Sequence, residues 1–408
     1  MDHCAQPDLL TFDRALELIL SCVDPVVETE NISLVLAQDR ILAKDILAGI
    51  HVPAADNSAM DGYAICLDDS QEYSLVGHAF AGHAFDGEIS AGQAVRIMTG
   101  GIIPDGANAV VMQENVLVIA NKIEILQMPQ VGENIRRKGE DIRMGSLVLS
   151  SGTRITALHI GLLASIGLSN ISVFRKIRVA LLSTGDELLQ PGDDFVSGKI
   201  YDSNRAMLHA LLQRLPVELI DLGCIADNPT QLEKTFSQAA TQVDVIISSG
   251  GVSVGEADYT KDVLHQLGDI GFYKIAMKPG KPLAFGRFKQ NNCWFFGLPG
   301  NPVSSAITYH QLVVPGIRRL SGEFIHIQQV LPGIASQLLK KQPGRMDFQR
   351  GILFWEHGVA KIKSAGKQSS GVLTGMANAN AYICLEAERG TVAEGESVII
   401  IPFDRYIE

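Results

Sequence analysis

A chain of 408 residues is too long for one ordinary core, so about two to four domains are expected. A net charge of −11 argues against nucleic acid or an anionic membrane surface as a bulk partner, so any bound anion must be drawn by local charge. No apolar run is long enough to cross a bilayer. The acidic start from Met1 to Asp8 lacks the blocks of a signal peptide, and Cys4, Cys22, Cys66, Cys224, Cys293 and Cys384 form no Cys-x-x-Cys pair. Reduced thiols in a cytoplasmic protein are therefore expected, not a disulfide frame or a zinc site.

Thr11 can cap a first helix, whose apolar positions Phe12, Ala15, Leu16, Ile19 and Val23 recur at helical spacing before Pro25. The apolar stretch 33–50 leads into a loop, His51 to Tyr63, that carries Asp56, Asn57 and Asp61. From Gly62 to about Ile135, short runs at 73–76, 94–98, 109–113, 116–120 and 122–126 alternate with turns and predict a small β domain. A charged connection, 134–141, precedes a strand at 146–149 and a helix from Thr156 to Ser165. If that helix packs on the first one, the β domain at 53–135 is an insertion in a discontinuous N-terminal domain of residues 1–52 and 136–176.

Residues 177–325 alternate strand and helix. Strands are expected at 177–183, 217–222, 243–249, 271–277, 283–287 and 293–297, and helices at 203–214, from Thr230 with Glu233 completing a capping box, at 261–267 and at 302–320. The last starts with Asn301 as cap and Pro302 in the first helical position. This pattern predicts a central doubly wound parallel-sheet domain, which binds ligands beyond the carboxyl ends of its strands. Residues 326–408 return to β-type runs and turns and form a C-terminal β domain. The fold class is α/β and multidomain.

The run from Val243 to Asp258 concentrates the chemistry. A buried strand ends in a loop with Gly250, Gly251 and Gly255, followed by a helix, so backbone N–H groups can converge on an anion such as phosphate. Glu256 and Asp258 can hold a divalent metal beside it. The rival readings are a crossover loop without a ligand, or the nucleophile elbow of a serine hydrolase at Gly251-Val-Ser-Val-Gly255, with Ser253 attacking. A Walker loop is excluded, because no Gly-Lys-Ser/Thr follows. The elbow needs an acid and then a histidine downstream, yet His265 and His310 fall inside predicted helices and no His-Gly-Gly-Gly segment supplies an oxyanion hole. Acidic, glycine-rich and basic loops follow successive strands instead: 184–187, 226–228, 250–258, Lys274 with 277–282, and 297–302. Together they offer carboxylates for a metal, N–H groups for a phosphate and lysines for further negative charge.

In this respect the chain resembles the MoeA-type molybdopterin molybdenumtransferases, the family that includes the E domain of gephyrin. The resemblance is carried by Pro53-Ala-Ala-Asp-Asn-Ser-Ala-Met-Asp-Gly-Tyr-Ala64, Ile97-Met-Thr-Gly100, Ala109-Val-Val-Met-Gln-Glu114 and Gly139-Glu-Asp-Ile142. It continues through Ser183-Thr-Gly-Asp-Glu-Leu188, Tyr201-Asp-Ser-Asn204, Ser249-Gly-Gly-Val-Ser-Val-Gly255, Met277-Lys-Pro-Gly-Lys-Pro282 and Gly297-Leu-Pro-Gly-Asn-Pro-Val-Ser304. These stretches run in order along nearly the whole chain.

The resemblance implies a four-domain homodimer that inserts molybdate into adenylylated molybdopterin, releasing AMP with the help of a divalent cation, usually Mg2+. A molybdopterin adenylyltransferase is implied as a partner. The active cleft would lie between subunits, with Asp61 and Thr99 of one chain facing Asp186, Glu187, Asp227 and Asp258 of the other. Asp227, Asp258 and Glu187 are the implied metal ligands, and Lys274 and Lys278 would neutralise oxyanions. Ser249, Gly250, Gly251, Ser253, Gly255, Lys281, Pro299, Asn301, Pro302, Arg350 and Ser370 are the implied substrate-binding set, with Arg350 and Ser370 as donors for molybdate or the pterin. One position departs from the family, which usually has aspartate where this chain has Glu256. A relative that binds molybdopterin without catalysis is the remaining alternative.

Overall fold

The computed structural model describes residues 9–251, 259–289, 292–324 and 329–407. They form two compact units, one from the described residues of Met1–Glu30, Asp39–Ala43 and Val173–Glu408, the other from Asn31–Gln38 and Lys44–Ser172.

The first unit is built on six strands: β1 Ile177–Thr184, β2 Val217–Ile225, β3 Val245–Ser249, β4 Gly268–Lys274, β5 Pro282–Phe288 and β6 Trp294–Leu298. Their order across the sheet is β2-β1-β3-β6-β5-β4. β1, β2, β3 and β6 run parallel, and β5 runs antiparallel to both its neighbours, so a hairpin extends the parallel core at one edge. Val179 and Leu181 of β1 enter one hydrophobic core, and Ala180 and Leu182 enter the other. Both faces are thus covered, which is why these strands read as continuous apolar runs and not as alternating ones.

On one face lie helix Ser203–Leu212 and the long helix that begins at Pro302; on the other lie Pro229–Ala240 and Tyr259–Leu267. Pro229–Ala240 is capped by Asn228, whose side chain accepts the Gln231 N–H at 3.1 Å. The expected capping box at Thr230 does not form, because Pro229 already fills the first helical position and moves the cap to the residue before it. The helix from Pro302 to Leu320 contains a π turn over Tyr309–Val313. Pro315 has no N–H to give to the Gln311 carbonyl, and a wider turn absorbs the missing bond.

Helix Phe12–Cys22, capped by Thr11 as expected, packs its Ala15 and Ile19 into the core of this α/β unit. Gly316 permits the approach: a Cβ there would lie 3.1 Å from Ile19 Cγ2 and 3.0 Å from Phe296 Cζ. The helix therefore groups with the sheet, whereas residues 136–172 fall in the other unit.

Strands Leu331–Ala335, Met346–Glu356, Val359–Ser364, Ala381–Leu385 and Ser397–Pro402 close into a C-terminal barrel, because Met346–Glu356 pairs with both Val359–Ser364 and Ala381–Leu385. A short strand, Met277–Lys278, pairs in parallel with Met346 and Asp347 and fastens the loop after β4 to that barrel.

In the second unit, six strands assemble in the order Ala109–Met112, Gly62–Ile65, Gln93–Ile97, Glu72–Ala79, Lys122–Ile125, Val116–Ile119. Asn57–Ser58 pairs with Ile135–Arg136, and Ile46–Leu47 with Leu147–Leu149, so the segments flanking the sheet are joined to each other. Thr156 caps helix Ala157–Ser165 and, with His159, closes a capping box.

Candidate active site

The parallel strands deliver their following loops to one edge, and the barrel faces that edge through Met277–Lys278 and the segment after Ser364. Between them lies a cavity of about 1040 Å3. Its walls include Thr184, Glu187, Asp227, Gly250 and Gly251 from the sheet side and Lys278, Lys281, Arg345 and Ser370 near the barrel. Pro299 and Asn301, ahead of the long helix, complete it.

Gly250 and Gly251 have φ values of +93° and +65°, a region that side chains disfavour. A Cβ on Gly251 would also come within 2.7 Å of both the Thr184 and the Thr260 hydroxyl oxygens. Glycine is therefore required twice over, by backbone conformation and by space. The remainder of the loop, with Ser253, Gly255, Glu256 and Asp258, lies outside the described residues.

The sheet side of the cavity is acidic. Asp186 Oδ1 accepts the Asp227 N–H at 3.2 Å and so fixes the loop after β2 against the loop after β1. Partial burial, and then the charges of Asp186 and Glu187, push the Asp227 carboxyl above its usual value. Of the expected metal ligands, Asp227 and Glu187 line the cavity. Among the described residues no three His, Cys, Asp or Glu side chains converge closely enough to hold a metal, and Asp258 is not among them.

The barrel side is basic. Lys278 Nζ stands 3.8 Å from the buried Asp347 carboxylate, and Lys281 and Arg345 share the wall. Arg345 escapes a sequence reading because nothing before the strand 346–356 marks it. Only the pairing of Met277–Lys278 with Met346–Asp347 brings the start of that strand to the cavity. Thr260, Gln368 and Ser369 also line the cavity and have no sequence signal of their own; Thr184 stands in a quoted motif but had no role assigned.

Several expected contacts are not made. Arg350 is 1% exposed, and its Nη2 donates to the carbonyls of Lys367 and Ser369, so it lies behind the cavity wall. Ser249 is buried and its hydroxyl accepts from Asn204 Nδ2 at 2.9 Å, which spends it on holding a helix. Lys274 ends β4 opposite Pro282 in the hairpin, and neither it nor Pro302, set in the first turn of its helix, lines the cavity. Asp186 acts through Asp227 and is likewise not on the wall.

Asp61 and Thr99 lie in the other unit and meet each other there. Asp61 Oδ1 accepts the Thr99 N–H at 2.7 Å and its hydroxyl at 2.8 Å. These bonds, the backbone one first, hold the exposed Asp61 carboxyl below its usual value.

Comparison with known proteins gives a consistent result along the chain. The MoeA N-terminal region (domains I and II) matches residues 10–167, a probable molybdopterin binding domain matches 180–319, and the MoeA C-terminal region (domain IV) matches 333–403. The molybdopterin molybdenumtransferase of Haemophilus influenzae is 45% identical, over 98% of this chain and 100% of its own. Gephyrin of Dictyostelium discoideum is 32% identical over 95% of this chain and 61% of its own. The solved structure of the molybdopterin biosynthesis moeA protein from Pyrococcus horikoshii OT3 aligns with a TM-score of 0.84 at 28% identity, covering 97% of this chain and 100% of that one. With all three regions matched in order, the chain belongs to the MoeA-type molybdopterin molybdenumtransferase family.

Proposed function

We infer that this chain is a molybdopterin molybdenumtransferase of molybdenum cofactor biosynthesis, which takes molybdate and adenylylated molybdopterin and releases AMP. The observation that carries this reading is the two-sided cavity: carboxylates and a glycine nest on the sheet side, cationic side chains on the barrel side. A phosphoanhydride and a molybdate dianion repel each other, and such a site brings them together. Gly251 offers its backbone N–H to the substrate phosphate, while the Gly250 N–H donates to the Leu298 carbonyl at 3.1 Å and holds the loop in place. Lys278 and Lys281 offset the charge of the entering oxyanion. Asn301 and Pro299 shape the far wall.

The donor set suits a hard divalent cation such as Mg2+. Asp227 and Glu187 are oxygen donors, and the Asp227 carboxyl is raised by burial first and then by the charges of Asp186 and Glu187. Asp227 and Glu187, with Asp258, would hold the ion. When bound it supplies charge neutralisation at the phosphate that leaves with AMP.

The same reading includes a homodimer whose cleft is completed by the partner subunit's Asp61 and the partner subunit's Thr99, a molybdopterin adenylyltransferase as the supplier of substrate, and a cytoplasmic location. No helix among the described residues is long and apolar enough to cross a membrane. The deciding experiment is an assay of AMP release from adenylylated molybdopterin by purified protein, with and without molybdate. Release that depends on molybdate and a divalent cation is expected; tight binding of the nucleotide substrate without any release would leave a binding scaffold instead.

A further inference from the structure

The barrel and the α/β sheet, between which the cavity lies, share one apolar core. Tyr309, Leu312 and Val313 of the long helix pack there with Phe348, Tyr382 and Ile401 of the barrel. Apolar burial holds two bodies together but is non-directional, so it leaves their relative angle open. Backbone bonds cross between them beside the cavity. The Val303 N–H donates to the Ser370 carbonyl at 3.1 Å, and the Met346 N–H to the Ala276 carbonyl at 2.9 Å.

A side-chain link lies deeper, in the π turn, about 10 Å along the helix from Val303. His310 is buried and does not line the cavity. Its Nε2 stands 3.0 Å from Oδ1 of Asp404, just past strand Ser397–Pro402. Its Nδ1 faces Gln311 Nε2 at 3.2 Å and, on strand Ala381–Leu385, the Tyr382 hydroxyl at 3.3 Å. Burial alone would raise the Asp404 carboxyl, but the bonds from His310 and from the Tyr406 N–H outweigh it and hold it below its usual value. An ionised carboxylate can only accept, so Nε2 carries the hydrogen and Nδ1 receives the two donors. Burial pushes the Tyr382 hydroxyl well above its ordinary value, so it keeps its proton to give. One imidazole thus ties the long helix to a barrel strand and to the segment after the barrel.

We propose that His310 is a positioning residue: its bonds to Asp404 and Tyr382 fix how the barrel seats on the α/β sheet and so set the spacing between the two walls of the cavity. The bonds are directional where the apolar core is not. A seating that breaks them leaves buried polar groups without partners, which is costly. His310 touches no substrate. It acts on the barrel-side cations, Lys281 and Arg345 among them, only by holding the body they lie against in register with the glycine loop and Asp227. The proposal rests on the transferase reading only for its activity measurement.

The first test reads seating without activity, by amide hydrogen exchange in the full chain. His310→Phe keeps a ring in place and removes both bonds; His310→Gln keeps an N–H that can reach Asp404. In the phenylalanine variant the Val303 and Met346 amides, which bridge sheet and barrel, should exchange about tenfold faster or more, the scale of a lost bond to a charged group. Ile246 within the sheet and Ile383 within the barrel should keep their protection, and the glutamine variant should recover part of the loss. Equal acceleration at all four amides would mean that His310 only stabilises the fold, and no change at any would mean that it does not set the seating; either result overturns the proposal. If the phenylalanine variant does not fold, Asp404→Ala removes the same bond from a side chain that is 44% exposed, with the same amides read. The second test is AMP release. The variant should need about tenfold more molybdate for half-maximal rate while its affinity for AMP alone is unchanged, because only the register between the walls has shifted. An unchanged molybdate response would remove His310 from the reaction. Failure of the transferase reading would show differently, as wild-type protein with both bridging amides protected and no AMP released.

Discussion

Asp227 combines a function with a cost to the fold. Its carboxyl titrates higher in the folded protein than in the unfolded chain, through burial first and then the charges of Asp186 and Glu187. A group of that kind stabilises the fold below its unfolded pKa, and the contribution is lost as pH rises through the folded one. At neutral pH the ionised carboxylate is therefore a small net liability, which a bound divalent cation would remove. Asp227→Asn should lower AMP release by about a hundredfold or more, the scale of losing one preorganised electrostatic contact, while substrate still binds to the nest. The same variant should melt slightly higher than wild type in metal-free buffer at neutral pH, and the difference should vanish on acidification. A variant that melts lower in those conditions would show that the carboxylate is structurally needed and not held against its neighbours.

At the scale of elements, the strands' apolar runs were legible in the sequence because burial on both faces leaves no polar interruptions. The charge pair that joins the amino ends of β1 and β3 was not, because its members lie far apart in sequence. Arg175, just before β1, forks onto Asp244, just before β3, at 2.7 and 2.9 Å, and the Arg178 N–H adds a bond of 2.8 Å. Burial alone would raise the Asp244 carboxyl, but these donors and the two arginine charges outweigh it and hold the pKa below the usual value. Stability from this group is complete above the unfolded aspartate pKa and is lost as pH falls through the folded one. Asp244→Asn should therefore cost about 1.5–3 kcal/mol in urea unfolding at neutral pH, and the gap to wild type should shrink at acid pH. Ser249 and Arg350 show a related limit. Ser249 stands in a motif beside the cavity and Arg350 on a strand behind its wall, and residue type alone does not tell a ligand from the support behind it. Arg345 and Gln368 reach the wall only through strand pairing and side-chain bonds to another strand, neither of which leaves a local pattern.

At the scale of the whole molecule, the expected site is divided between two compact units of the chain. The carboxylates and cations of the cavity belong to one, and the Asp61–Thr99 pair to the other. In the transferase reading these sets meet across a dimer, so each cleft needs one intact copy of each unit from different subunits. That arrangement makes a sharp genetic prediction. An Asp61→Ala chain and an Asp227→Ala chain should each be inactive as homodimers. Mixed dimers of the two carry one cleft with both defects and one with neither, because each intact unit finds its counterpart on the opposite chain. Statistical exchange of equal amounts makes about half of all dimers mixed, and half of the clefts in those are intact, so activity should recover to about a quarter of wild type in the mixture and about half in isolated mixed dimers. The measurement is AMP release after co-refolding, with mixed dimers isolated through two different affinity tags. If isolated mixed dimers stay inactive, the pair at Asp61 and Thr99 serves its own subunit or none, and the shared cleft is wrong while the cavity and its chemistry stand.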